Sequence, residues 1–130
     1  MSRAIIRKTR NEKRIYKIVL QLFPKVSPSF SEMDVYFLAT KGVEDVGFLH
    51  LILDGKRILL QGVGVKEKYR SVGIGGMLVD TAINFSEKTG VDLFLKVKPD
   101  NVPALNLYAK KGFSIKKLRD VYILQRKLCS

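Results

Sequence analysis

Three glycines within four positions, Gly73, Gly75 and Gly76, follow Arg70-Ser71-Val72 and surround Ile74. They lead into Met77, Leu78, Thr81, Ala82 and Phe85, which recur at helical spacing. A loop stripped of side chains at a helix start lets backbone N–H groups and the positive end of the helix dipole approach an anion closely. Arg70 to Gly76 therefore reads as a phosphate-binding segment in outline, although a plain glycine turn is the commoner meaning of such a run. No Gly-Lys-Ser/Thr follows, which excludes a Walker loop, and Leu78 stands where a dinucleotide fingerprint needs its third glycine. About thirty residues on, Asn101-Val102-Pro103 supplies a capping side chain with proline in the first turn, and Leu105 and Tyr108 share one face of the helix that follows. His50 is the one histidine of the chain and Cys129 the one cysteine. A single thiol forms no internal disulfide and no thiolate zinc cage, so no metal site is expected.

The elements that must position these residues follow from periodicity and turn chemistry. Residues 3–8 read as a short edge strand. Thr9 lies three residues ahead of Glu12, the capping-box spacing, and opens an amphipathic helix through Ile15, Ile18, Val19 and Leu22 that ends at Pro24. The Ser27–Ser31 stretch reads as a loop. Residues 35–40 and 46–53 are strands broken by Lys41-Gly42. Asp54-Gly55 signals a two-residue hairpin into a strand over 57–65. That register would place Phe48 opposite Gln61 and His50 opposite Leu59. A strand over 91–98, a helix from Asn101 to Gly112, and strands over 113–117 and 121–127 complete one domain spanning 1–130, with no internal repeat.

Of 130 residues, 46% are apolar and 28% charged, which excludes wholesale disorder and fibrous repeats. No apolar run approaches the roughly 20 residues that span a bilayer, and the N-terminus lacks a signal-peptide core. Together with the lone thiol, this sets the expectation of a cytoplasmic protein with no membrane partner. The net charge is +12 and concentrated at the ends: residues 1–30 hold eight basic side chains against one acidic, residues 101–130 seven against one. Such ends suit an acidic or nucleic-acid-associated partner, or simply a solvated face.

Arg70-x-x-Gly73-x-Gly75 paired with Asn101-x-x-Ala104-x-x-Leu107-Tyr108 and Gly112-Phe113 resembles the GNAT superfamily of acetyl-CoA-dependent N-acetyltransferases, with the similarity running from residue 46 to 113 and including Gly47-Phe48. The resemblance implies an α/β (α+β) fold, a mixed and largely antiparallel twisted sheet of about seven strands with helices on both faces, whose parallel strands 57–65 and 91–98 splay apart to admit the pantetheine arm. It implies that acetyl-CoA is the cosubstrate and an unidentified amine the acceptor, joined by direct attack in a ternary complex. The pyrophosphate would sit on Arg70, Ser71, Val72, Gly73, Ile74, Gly75 and Gly76, and the pantetheine would pair with Val63, Gly64 and Val65. An amide at Val63 or Val65 would hold the acetyl carbonyl. Asn101 and Ala104 would meet the pantetheine, with helix capping an equal role for Asn101. Lys110 and Lys111 would meet the 3′-phosphate or stand as solvated lysines. Tyr108 would protonate the leaving thiolate; its bland alternative is an aromatic core position. A non-catalytic CoA-binding or nucleic-acid- or ribosome-associated module retaining this fold is the rival reading.

The sequence departs from the resemblance at one place. Many members carry a glutamate nine residues before the motif arginine to deprotonate the acceptor, and here that residue is Gln61, a neutral amide that cannot act as a base. Proton removal is expected through a water chain or by an acceptor that arrives neutral. His50, on the same sheet face, is the other candidate, and Glu67 reads as a solvated loop residue.

Overall fold

The computed structural model describes residues 3–118 and 120–128; Cys129 and Arg119 lie outside them. Strand β1 (Ile5–Thr9) leads into helix α1 (Glu12–Leu22), then strands β2 (Asp34–Lys41), β3 (Glu44–Leu53) and β4 (Arg57–Val65). A short 3-10 turn (Glu67–Tyr69) precedes helix α2 (Ile74–Thr89), strand β5 (Asp92–Val97), helix α3 (Val102–Lys110) and strands β6 (Ser114–Leu118) and β7 (Tyr122–Arg126). The seven strands form one sheet in the order β1-β2-β3-β4-β5-β7-β6. Every pairing is antiparallel except β4 with β5, as the resemblance implied. No helix among the described residues is long and apolar enough to cross a membrane.

Each face of the sheet is covered by the helix whose apolar side matches it. The buried side of α1, Ile15, Ile18 and Val19, packs with Tyr36, Leu38 and Phe48. Ile74, Leu78, Val79, Ala82 and Ile83 of α2 pack on the opposite face with Leu49, Leu51, Ile58, Leu60, Leu93 and Leu95, and Tyr108 of α3 joins them. The first helix is capped by Asn11, whose side chain accepts from the Arg14 amide at 3.2 Å, rather than by Thr9, whose hydroxyl accepts from the Asn11 amide. Thr9 is still paired in β1, opposite Tyr36, which rules it out as the capping residue.

The hairpin between β3 and β4 departs from the expected register. A two-residue turn of the type favoured by Asp-Gly needs positive φ at both residues, and here only Gly55 (φ +83°) has it. The loop widens: Leu53 pairs with Ile58, and the Asp54 amide donates to the Arg57 carbonyl at 3.1 Å. A bulge then falls between the pairs His50↔Gly62 and Leu51↔Leu60, so Gln61 has no partner of its own and Phe48 faces Gly64 instead of Gln61. The extra residue reverses which side chains of β4 face which helix. Ile58 and Leu60 before it, and Val63 and Val65 after it, all point toward α2, which leaves Gly62 and Gly64 under Phe48.

Gly64 is required by close approach: a Cβ there would lie 2.9 Å from the Phe23 ring and 3.1 Å from both Leu22 and Phe48. Gly64→Ala is expected to overpack this contact and lower stability by roughly 1–3 kcal/mol. A urea midpoint equal to wild type would show that Phe23 gives way at no cost.

Candidate functional site

The glycine loop is held from below. The Tyr69 hydroxyl donates to Glu44 Oε1 at 2.7 Å, and Lys66 Nζ reaches Glu44 Oε2 at 3.2 Å, which moors the 3-10 turn to the start of β3. Arg70 Nε donates to the Val65 carbonyl at 2.9 Å and so ties the loop to the end of β4. Between these moorings and α2 the chain turns through Ser71 (φ +68°) and Gly73 (φ +87°), the latter in the left-handed region that only glycine enters without strain. The first amide of this stretch with an intrahelical partner is Met77, to the Gly73 carbonyl at 3.0 Å. Among the described residues, the amides of Ser71 to Gly76 have no hydrogen-bond partner. Six successive N–H groups at the positive end of a helix of 16 residues can receive an anion. Lys111 Nζ sits 4.0 Å from where a Gly76 Cβ would be and pairs with Asp80 at 2.8 Å, so it borders this loop. Lys110 is exposed in the last turn of α3, with no ion pair among the described residues.

From the loop a track leads along β4. The parallel pairing of β4 with β5 ends at Leu60↔Leu95, and residues 61–65 separate from β5. The Lys66 amide donates to the Val46 carbonyl at 2.8 Å, toward β3. Strand alternation then turns the amides of Val65 and Val63 the other way, into the gap. That unpaired edge can bind an extended ligand as a neighbouring strand would. Asn101 caps α3, its side chain accepting from the Ala104 amide at 3.3 Å, so the capping role expected for it is the one occupied here.

The track ends at a cavity of about 360 Å³ between α1, the 23–29 segment and the splayed strands. Gln61, Val63, Tyr108, His50, Tyr36 and Lys96 all line it. Tyr108 packs edge-to-face on Phe113 with ring centroids 5.4 Å apart, and its hydroxyl has no hydrogen-bond partner among the described residues. Burial raises its pKa, so the phenol stays protonated through neutral pH. The residues singled out in the sequence, Tyr108, Gln61 and His50, thus meet at one cavity, although by a register other than the expected one, and Glu67 stays exposed on the 3-10 turn.

Asp34 is the residue that sequence reasoning missed. Its Oδ1 lies 2.6 Å from His50 Nε2, with the two side chains only 5% and 8% exposed. Ser29 Oγ donates to Oδ1 at 2.9 Å, while the Ser31 amide (2.9 Å) and hydroxyl (2.8 Å) donate to Oδ2. Burial acts to raise the Asp34 pKa, but the bonds from His50, Ser31 and Ser29 outweigh it and leave the carboxyl below its ordinary value. Burial lowers the His50 pKa, and Asp34 offsets this only in part. Tyr36 stacks on His50 at 4.1 Å and donates its hydroxyl to the Ser29 carbonyl at 3.0 Å; burial and then the Asp34 charge push it up to about 12. A signal existed: β2 and β3 pair antiparallel with Tyr36 opposite His50, which makes Asp34 a diagonal neighbour on the same face. Among the described residues no cluster of three or more potential metal ligands occurs.

A profile of the Acetyltransferase (GNAT) family matches residues 8–113. The chain is 33% identical over 69 residues to the probable N-acetyltransferase san of Drosophila melanogaster, a match covering 52% of this chain and 38% of that protein. It is 36% identical over 63 residues to the N-alpha-acetyltransferase of Sulfurisphaera tokodaii, covering 46% of this chain and 38% of that one. The matches thus span well under half the length of these relatives. The fold superposes on the ribosomal-protein-S18-alanine N-acetyltransferase from Escherichia coli with a TM-score of 0.85 at 20% identity, over 98% of this chain and 97% of the other.

Proposed function

The chain belongs to the Acetyltransferase (GNAT) family, and from that premise we propose that it is an N-acetyltransferase that moves acetyl from acetyl-CoA to a primary amine by direct attack in a ternary complex. The observation that carries this reading is a continuous track: unpartnered amides at residues 71–76, then the free edge of β4 at Val63 and Val65, then the cavity holding Tyr108. Each section fits one part of acetyl-CoA. The six amides, bordered by Lys111, offer donors for a pyrophosphate. The edge of β4 pairs with pantetheine amides, and an N–H at Val63 or Val65 holds the acetyl oxygen as charge develops on it. Acetyl-CoA supplies an activated thioester. Tyr108, kept protonated by burial, gives a hydrogen bond and then its proton to the departing sulfur.

For the acceptor we favour the α-amino group of a peptide. The cavity is walled by Val19, Phe23, Val26 and Phe48, and Asp34, which lies beside it, is already committed to His50 and two serines, so nothing in it selects a long cationic side chain. The relative from Sulfurisphaera tokodaii is named for α-amine acetylation, and the Escherichia coli neighbour for an alanine of a ribosomal protein. The basic edge around Arg3, Arg7 and Lys8 suits an acidic partner that brings such a peptide. The test offers acetyl-CoA with two peptides, one with a free N-terminus and no lysine, the other N-terminally blocked with one lysine, and locates the acetyl group by mass spectrometry. Modification of the first is expected. Modification of the second alone would overturn the acceptor assignment, and modification of neither would overturn the activity.

A further inference from the structure

Resting on the acetyl-transfer reading, we propose that His50 and Asp34 together replace the carboxylate missing at Gln61: His50 accepts the proton of the acceptor amine, and Asp34 is the positioning residue that holds its ring. The two side chains come from neighbouring strands and meet at 2.6 Å, almost wholly buried, beside the cavity that holds Tyr108. Asp34 is itself fixed by three donors from Ser29 and Ser31, and the imidazole is clamped flat against Tyr36 at an interplanar angle of 13°. The ring therefore has one orientation.

That orientation assigns the two nitrogens. An ionised Asp34 accepts hydrogen bonds only, so Nε2 carries the proton that points at it. Nδ1 then carries the lone pair. It makes no hydrogen bond to a described residue and is not sealed from solvent, and the opening that His50 lines is the cavity, so the proposal puts the acceptor amine at Nδ1. In the reaction the amine nitrogen forms its bond to the acetyl carbon and releases a proton to Nδ1, directly or through one water. The carbon–sulfur bond breaks, and the sulfur takes the electron pair and the Tyr108 proton. Solvent exchange returns the proton from His50 and restores that of Tyr108. The lowered His50 pKa keeps the ring neutral and ready at physiological pH.

The other groups facing this cavity do not compete for the role. Tyr36 from β2 is pushed up to about 12 and Tyr108 from α3 is also raised, so neither is a base near neutrality. Gln61 from β4 is neutral, α1 contributes only apolar side chains, and Lys96 from β5 adds a positive charge that favours the deprotonated amine.

The experiment measures kcat/KM against pH for wild type, Asp34→Asn, His50→Ala and the double variant, using two acceptor amines of different pKa. Expected in wild type is an acidic limb that stays in place when the acceptor is changed. In Asp34→Asn the limb moves to lower pH, because the carboxylate that raises the His50 pKa is gone, and the plateau falls at least roughly tenfold. In His50→Ala the limb disappears, and adding Asp34→Asn to it causes no further loss. Because His50 is the only histidine, its ring signals in a ¹⁵N NMR titration of the wild-type chain are unambiguous. They should show the Nε2–H tautomer and a midpoint coinciding with the kinetic limb. A limb that follows the acceptor's pKa, a limb unmoved in Asp34→Asn, or an NMR midpoint apart from the kinetic one would overturn the proposal while leaving the acetyl-transfer reading intact. Absence of turnover in wild type with any acceptor would overturn both.

Discussion

Tyr108→Phe is expected to lower the turnover of acetyl transfer by roughly 10–1000-fold while leaving acetyl-CoA affinity close to wild type. The substitution keeps the ring and its edge-to-face contact with Phe113, so the fold has little reason to change. What it removes is a hydroxyl that no described residue engages, on a side chain that lines the cavity. A phenol with a reference pKa near 10 protonates a thiolate of about 8.5 only with assistance from the developing charge, so the effect belongs to the bond-breaking step and not to binding. Burial raises this phenol further, and its ionisation should therefore add no limb to the pH profile below the ordinary tyrosine range. Steady-state rates beside a calorimetric Kd for acetyl-CoA make the measurement. An unchanged kcat would reassign Tyr108 to packing.

Acetyl-CoA is expected to stabilise the wild type by about 2.7 kcal/mol at 100 times its dissociation constant, and Gly75→Glu is expected to abolish that stabilisation. The reason lies in what the substituted residue meets. Gly75 is in the first turn of α2 without a positive φ, and a Cβ there finds only Val65 Cγ2 at 3.9 Å, an ordinary contact. The folded state therefore accepts the side chain, and a carboxylate in a first helical turn is favoured by the dipole. The same carboxylate then occupies the amides that a pyrophosphate needs and repels its charge. Thermal unfolding with and without millimolar acetyl-CoA checks this: the unliganded transition should stay at or above the wild-type value while the ligand-induced shift vanishes. A retained shift would place the anion elsewhere.

The parts of the site carried by local chemistry are legible in the amino-acid sequence alone. Gly73 and Gly75 announce a loop at a helix start because no other residue type leaves those amides so accessible, and Asn101 with Pro103 announces the start of α3 for equally local reasons. The alternating pattern of residues 92–97 and the helical spacing of residues 77–85 likewise need no tertiary context. The register of β3 on β4 does need it. Asp54-Gly55 offers a tight turn, but Asp54 does not take up positive φ, and the bulge at Gln61 depends on Gly62 and Gly64 tucking beneath Phe48. That bulge is what carries Gln61 to the cavity beside His50 by another route than strand opposition. Asp34 is hidden in the sequence because its partner is 16 residues away on the next strand, and because Ser29 and Ser31 read as loop formers when they are also its hydrogen-bond donors.

Direct acetyl transfer is tested most directly by the stoichiometry and order of the reaction itself. Acetyl-CoA, the chain and a peptide with a free α-amine are combined, free thiol is followed continuously, and both peptide and protein are weighed by mass spectrometry. Thiol is expected only when the peptide is present, in equal amount to acetylated peptide, with no acetyl group accumulating on the protein. Thiol released before the peptide is added, leaving acetyl on the chain, would contradict direct attack; binding of acetyl-CoA with no thiol released to any amine would contradict catalysis altogether.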